Sequence, residues 1–166
     1  MTRKLIFIRH AKAEDQASGM SDFERSLTRK GKQHSKLIAE IMRSKENDPG
    51  IIVSSPAFRA LETALLFCRE YGISSDTVVI RTDLYTDLER EEYIPFINSV
   101  GGDASVITFF GHNPLISEMA SWFASEELDG LPKTGVLCLS FEADSWSEIE
   151  PRSGTTGYFL SPKSSI

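Results

Sequence analysis

Short apolar runs alternate with stretches of helical spacing along the whole chain of 166 residues. KLIFI (Lys4–Ile8) reads as a buried strand, and SLTRKGKQHSKLIAEIMRS (Ser26–Ser44) as a helix with Thr28 as N-cap and Leu37, Ile38, Ile41 and Met42 at helical spacing. GIIVSS (Gly50–Ser55) is a second strand closed by Pro56. AFRALETALLFCREYG (Ala57–Gly72) is a second helix, ending where glycine accepts a left-handed cap. TVVIR (Thr77–Arg81) predicts a third strand, EREEYIPFINSV a helix entered near Glu89, and SVITFFG (Ser105–Gly111) a fourth strand. HNPLISEMASWFAS then starts a helix with Asn113 as N-cap and Pro114 in the first helical position. GVLCLSFEA and TGYFLS are late strands. Strand and helix in alternation predict an α/β fold, a three-layer α/β/α sandwich around a mostly parallel central sheet.

The length favours one domain over residues 1–166, enough to bury roughly two-thirds of the unfolded surface. No repeat, low-complexity linker or composition shift marks a second one. Hydrophobic residues make up 40% and charged residues 25%, with a formal net charge of −6. That balance fits neither disorder nor a broad polyanion-binding surface, so nucleic acid is not an expected partner. The apolar core of MTRKLIFIRH is far shorter than the ~7 to 15 residues of a secretory signal, and no window approaches a membrane span. Cys68 and Cys138 stand alone in sequence and read as reduced packing residues. The cytoplasm is the expected compartment.

In doubly wound sheets, ligands collect at the carboxyl ends of the strands. Arg9 and His10 end the first strand, Ser54 and Ser55 the second with Arg59 one helical turn on, and Gly111 and His112 the fourth. Two imidazoles and two guanidiniums therefore share one predicted edge. His34 lies inside a helix with Ile38 four residues on, and is read as a helix-face residue outside the site. Guanidiniums are permanently charged forks that match phosphate oxygens, so a phosphoryl or carboxylate ligand is indicated. A neutral imidazole nitrogen is a nucleophile toward phosphorus if its other nitrogen donates to a fixed acceptor. The helix start after His112 adds N–H donors and a positive dipole end.

Other phosphate chemistries leave no trace. A cysteine phosphatase needs arginine six positions after the cysteine; Cys68 has Ser74 there and Cys138 has Asp144. No G-x-x-x-x-G-K-[ST] loop and no D-x-D pair after a strand occurs. A metal site built from His10, His112 and a carboxylate stays open as an alternative, although arginines among the ligands would repel a divalent cation. Neither metal nor cofactor is expected.

FIRHAKA, SSPAFRALETA and FFGHNP, in that order and spacing, resemble the three signature segments of the histidine phosphatase superfamily, the phosphoglycerate-mutase-like fold. DFERSLTRKGKQ (Asp22–Gln33) resembles the segment before the first helix of its short branch, the SixA-type phosphohistidine phosphatases. The resemblance implies that His10 takes the phosphoryl group covalently while Arg9, Arg59 and His112 hold its oxygens. The family's R-H-G is here Arg9-His10-Ala11. Larger members carry a glutamate general acid after the third strand in a Leu-x-Glu segment; here Leu84-Tyr85-Thr86 puts Thr86 at that place. Asp87 and Glu89 are left either as substitutes for the acid or as a solvated start to the next helix. An imidazole leaving group needs less protonation than an alkoxide. The expected partner is therefore a protein carrying phosphohistidine, with a small phosphate ester as the alternative substrate and a catalytically weak phosphate-binding module as the alternative from another class.

Overall fold

The first strand shows how the layers are made. β1 (Thr2–Arg9) is apolar at four successive positions because both of its faces are covered. The period of two sorts those positions between two cores. Leu5 and Phe7 join one cluster with α3 (Arg90–Gly101) and α4 (Leu115–Phe123), while Ile6 and Ile8 join the other with α1 (Arg29–Lys45) and α2 (Phe58–Tyr71). All four side chains have no solvent exposure; burying each contributes about 1.5–3 kcal/mol. The computed structural model of the protein describes residues 1–165.

The remaining strands are β2 (Ile51–Ser54), β3 (Val79–Ile80), β4 (Val106–Gly111), β5 (Val136–Glu142) and β6 (Thr155–Leu160). They form one sheet in the order β3-β2-β4-β1-β5-β6. The pairings β1–β4, β2–β4 and β2–β3 are parallel; β5 runs antiparallel to β1 and to β6. This is the predicted three-layer α/β/α sandwich, with a mixed sheet parallel through its centre and antiparallel at one side. A short C-terminal helix, α5 (Pro162–Ser165), packs near α1. No described helix is long and apolar enough to cross a membrane.

The Thr28 side chain accepts from the Gly31 N–H, as its N-cap position requires. Gly72 ends α2 in the left-handed region, φ 67°. Gly31 has a second duty: a Cβ there would lie 2.2 Å from the carbonyl oxygen of Lys12, so only glycine lets α1 rest on the segment after His10.

Two expectations are corrected. The third strand is two residues rather than TVVIR, because a 3₁₀ turn capped by Ser74 takes its start and another, Thr82–Leu84, follows its end. It lies at the sheet edge, where Ile80 is 52% exposed. The cap of α4 is Pro114, not Asn113. The Asn113 side chain instead donates to the Leu131 carbonyl and accepts from the Ser117 hydroxyl, tying α4 to the following loop.

Candidate active site

The parallel register sets three strand ends level. Arg9 pairs with Gly111 and Ser54 with Phe110, and the ladder continues as the His10 N–H donates to the Gly111 carbonyl and the Ser55 N–H to the Phe110 carbonyl. His10, Ser55 and His112 therefore leave the sheet side by side, with the two imidazole centroids 5.2 Å apart.

His10 is only 6% exposed. Its Nδ1 lies 2.7 Å from the Ala11 carbonyl, which can only accept, so Nδ1 carries the proton and donates. Nε2 is then left as an unprotonated lone pair. Burial, then the charges of Arg59 and Arg9 and the neighbouring His112, push the His10 pKa down to about 3. The imidazole is neutral throughout the physiological range. The Ala11 N–H donates in turn to the Thr63 hydroxyl, which donates to the Arg59 carbonyl and so fixes the segment after His10 to α2.

His112 is oriented by Ser55, with Nε2 2.7 Å from Oγ. That hydroxyl accepts from the Ala57 N–H and keeps its own proton to donate to Nε2. With Ser55 as the donor, the ring proton sits on Nδ1, a buried atom with no protein partner. Burial first, then the Arg59 charge, hold the His112 pKa down at about 4. The Nε atoms of Arg9 and Arg59 are also buried without an acceptor. Three nitrogens of the cluster are thus buried without a protein partner.

Arg59, 7% exposed, is held from behind by Asp22: Nη1 donates to the Asp22 carbonyl and Nη2 to Oδ2 at 3.0 Å. The same carboxylate accepts from Arg25 and from the Tyr85 hydroxyl. Burial works to raise the Asp22 pKa, but the hydrogen bonds from Arg25 and Arg59 and the Arg59 charge outweigh it and keep the group ionised, below the usual carboxylate range. Tyr85 stands edge-on to His112, with centroids 5.6 Å apart, and to Phe23 at 5.4 Å; Phe23 meets Phe58 at 5.7 Å. An aromatic wall therefore borders the imidazole pair. Arg9 is steadied by the loop before β5: Nη1 donates to the Leu131 carbonyl, and the Thr134 N–H donates to the carbonyls of Arg9 and His10. Thr134 is fully buried at φ 60°, an unusual conformation for a β-branched residue.

The structure brings together Arg9, His10, Arg59 and His112. The acids after β3 are placed elsewhere. Thr86 bonds back to the Thr82 carbonyl, Asp87 is exposed, and Glu89 caps α3 in a reciprocal box with Glu92. Ser55, which the sequence placed at the end of the second strand, orients His112, whereas Asp22, Thr63, Tyr85 and Thr134 support the site without having been singled out; of these Asp22 alone had a signal, as the first residue of the DFERSLTRKGKQ segment. Among the described residues no three or more His, Cys, Asp or Glu are grouped to hold a metal ion.

Arg9, His10 and His112 at level strand ends and Arg59 in the first turn of α2 thus gather two imidazoles and two guanidiniums at one edge of an α/β sandwich, a set that suits a phosphoryl anion. The model of the histidine phosphatase superfamily (branch 1) matches residues 5–84 of the chain. A curated chloroplastic protein of Arabidopsis thaliana, itself uncharacterized, is 28% identical over 177 aligned positions covering 100% of this chain and 81% of its own length. Among solved structures, a protein designated phosphohistidine phosphatase SixA from Agrobacterium tumefaciens is 24% identical with a TM-score of 0.79, over 96% of this chain and 98% of that one. The protein histidine phosphatase SixA complexed with tungstate is 17% identical with a TM-score of 0.82, over 97% and 98%.

Proposed function

We propose that the protein is a phosphatase that works through a phosphohistidine at His10 and acts by preference on phosphohistidine carried by a protein. The observation that carries this is the Nδ1–H bond from His10 to the Ala11 carbonyl, which leaves a neutral Nε2 as the nucleophile. In the first half-reaction Nε2 bonds to phosphorus as the bond from phosphorus to the leaving nitrogen or oxygen breaks, the electron pair departing with the leaving group. Arg9, Arg59 and the Nδ1–H of His112 take the negative charge of the transferring oxygens. Such a transition state is loose, so fixed positive charge and donors at those oxygens supply most of the acceleration. In the second half-reaction water attacks phosphorus in line, the bond to His10 Nε2 breaks, and phosphate leaves.

The substrate preference rests on the acids. Asp22 is the carboxylate bonded into the cluster, and its two arginine partners hold it as the anion, which cannot protonate a leaving group. Asp87 and Glu89 retain the role of acid only if their segment folds back over the site. Without that acid, imidazole and phenolate leaving groups are favoured over alkoxides. The SixA likeness in fold supports the same direction. The two buried free cysteines suit a reducing, cytoplasmic compartment.

The test is a leaving-group series comparing a phosphohistidine peptide, aryl phosphates and alkyl phosphates on wild type, Asp87→Asn and Glu89→Gln. The peptide and aryl esters should be cleaved far faster than alkyl esters, by up to the ~10²–10⁴ that a general acid typically provides, and neither variant should change the ranking. Equal rates on alkyl esters and phosphohistidine would defeat the preference. Selective loss of alkyl activity in one variant would identify that residue as the acid and favour a small phosphate ester as substrate.

A further inference from the structure

A cleft of about 770 Å³ opens beside the active site and shares Arg9 with it. Its charged lining is Arg9, Lys12, Lys30, Lys133 and Lys163, with His34 between, and none of the residues lining it is acidic. Among the described residues none of these five cations takes part in a salt bridge. In a chain of net charge −6, such sorting of positive charge concentrates an attractive field on one side of the site. The cations come from separate segments: the end of β1 and the stretch after it, the first turn of α1, the loop before β5, and α5. The His34 pKa is lowered by partial burial and by the charges of Lys30 and Lys12, so the cleft already works against a further cation.

We infer that this cleft is the docking surface for an acidic segment of the phosphorylated protein, next to the histidine whose phosphoryl group enters the site. The inference rests on the phosphatase reading above and names the partner's charge. An acidic protein segment fits better than a second phosphate of a small molecule. The four lysines are exposed point charges on flexible stems, and the one planar fork of the lining, Arg9, belongs to the active site. The lining between them is apolar and open, formed by Pro132, Pro162 and the lysine stems, as a peptide surface requires.

The probes are synthetic phosphohistidine peptides identical except for Glu, Gln or Lys flanking the phosphorylated residue, with para-nitrophenyl phosphate as an uncontacted control. The proteins are wild type, the double variant Lys30→Glu with Lys133→Glu, and Lys45→Glu at the far end of α1. At low ionic strength wild type should prefer Glu over Lys flanks by about tenfold or more in kcat/KM, within the range that electrostatic steering gives. Salt should erase the preference. The double variant should lose it and Lys45→Glu keep it, with para-nitrophenyl phosphate turnover the same in all three. In parallel, fluorescence anisotropy of a labelled, unphosphorylated Glu-flanked peptide reads binding without chemistry. Equal kcat/KM for all flanks, or an undiminished preference in the double variant, overturns the inference while leaving the phosphatase reading intact. If no phosphohistidine peptide is hydrolysed, that reading fails and anisotropy decides the cleft. Peptide binding that the double variant loses supports the docking surface; no binding, or capture of polyphosphate in place of the peptide, overturns it.

Discussion

Ser55→Ala removes one hydroxyl and should be felt at His112. That hydroxyl accepts from the Ala57 N–H and lies 2.7 Å from His112 Nε2; in the proposed mechanism it donates to Nε2, which puts the ring proton on Nδ1 for the phosphoryl oxygens. The variant leaves Nε2 buried beside a methyl group. A buried acceptor stripped of its donor costs about 1–3 kcal/mol. Expressed in the transition state, at about 1.4 kcal/mol per tenfold, that is a loss of about 5- to 150-fold in kcat. The Ala57 N–H loses its acceptor too, so the melting temperature should fall by the few degrees that about 1 kcal/mol produces in a domain of this size. Ser55→Thr keeps a hydroxyl and should recover most of the rate. The assay is kcat on an aryl phosphate together with ¹⁵N NMR of the His112 ring, which reports the tautomer directly. A folded Ser55→Ala enzyme with wild-type kcat, or a wild-type spectrum with the proton on Nε2, would refute the reasoning.

Three further outcomes are expected. Arg59→Ala and Arg9→Ala should each lower turnover by about two to three orders of magnitude, the loss of one preorganised donor. Arg59→Lys should not restore it, because an ammonium cannot both meet Asp22 and reach a phosphoryl oxygen as the fork does; wild-type rates would remove that arginine from the site. Activity should survive exhaustive chelation, since the arginines and His112 supply the charge a metal would bring; loss on chelation with recovery on adding back one metal would reverse this. Acid should destabilise the fold through His10: the unfolded chain takes up its proton from about pH 6.5 downward, whereas the native imidazole waits until about 3, so stability is lost as pH falls through that window. The loss is on the order of 5 kcal/mol for this residue, measured as the difference between urea melts of wild type and His10→Gln; parallel pH profiles would show that His10 is not held neutral.

Much of this was legible because the central strands are buried on both faces. Continuous apolar runs such as KLIFI and SVITFFG can be found without tertiary information, and their polar ends mark the edge where ligands bind. Arg9, His10, Ser55, Arg59 and His112 all follow from that rule. Residues that act through tertiary contact were not legible. Tyr85 reaches Asp22 across 63 positions, and Thr63 holds Ala11 across 52. Asn113 has the sequence look of an N-cap, yet the Leu131 carbonyl and Ser117 compete successfully for its side chain, and the cap passes to Pro114. The short β3 failed for a local reason: Ser74 and Thr77 stabilise a turn where β propensity predicts a strand.

The central claim is that His10 carries the phosphoryl group. Rapid acid-free quenching during turnover of a ³²P-labelled substrate, followed by peptide mapping, tests it most directly. Label is expected on His10 alone, stable in base and labile in acid as an N-linked phosphate is, and absent from His10→Gln. Label on a serine or aspartate, or full turnover in His10→Gln, would contradict it.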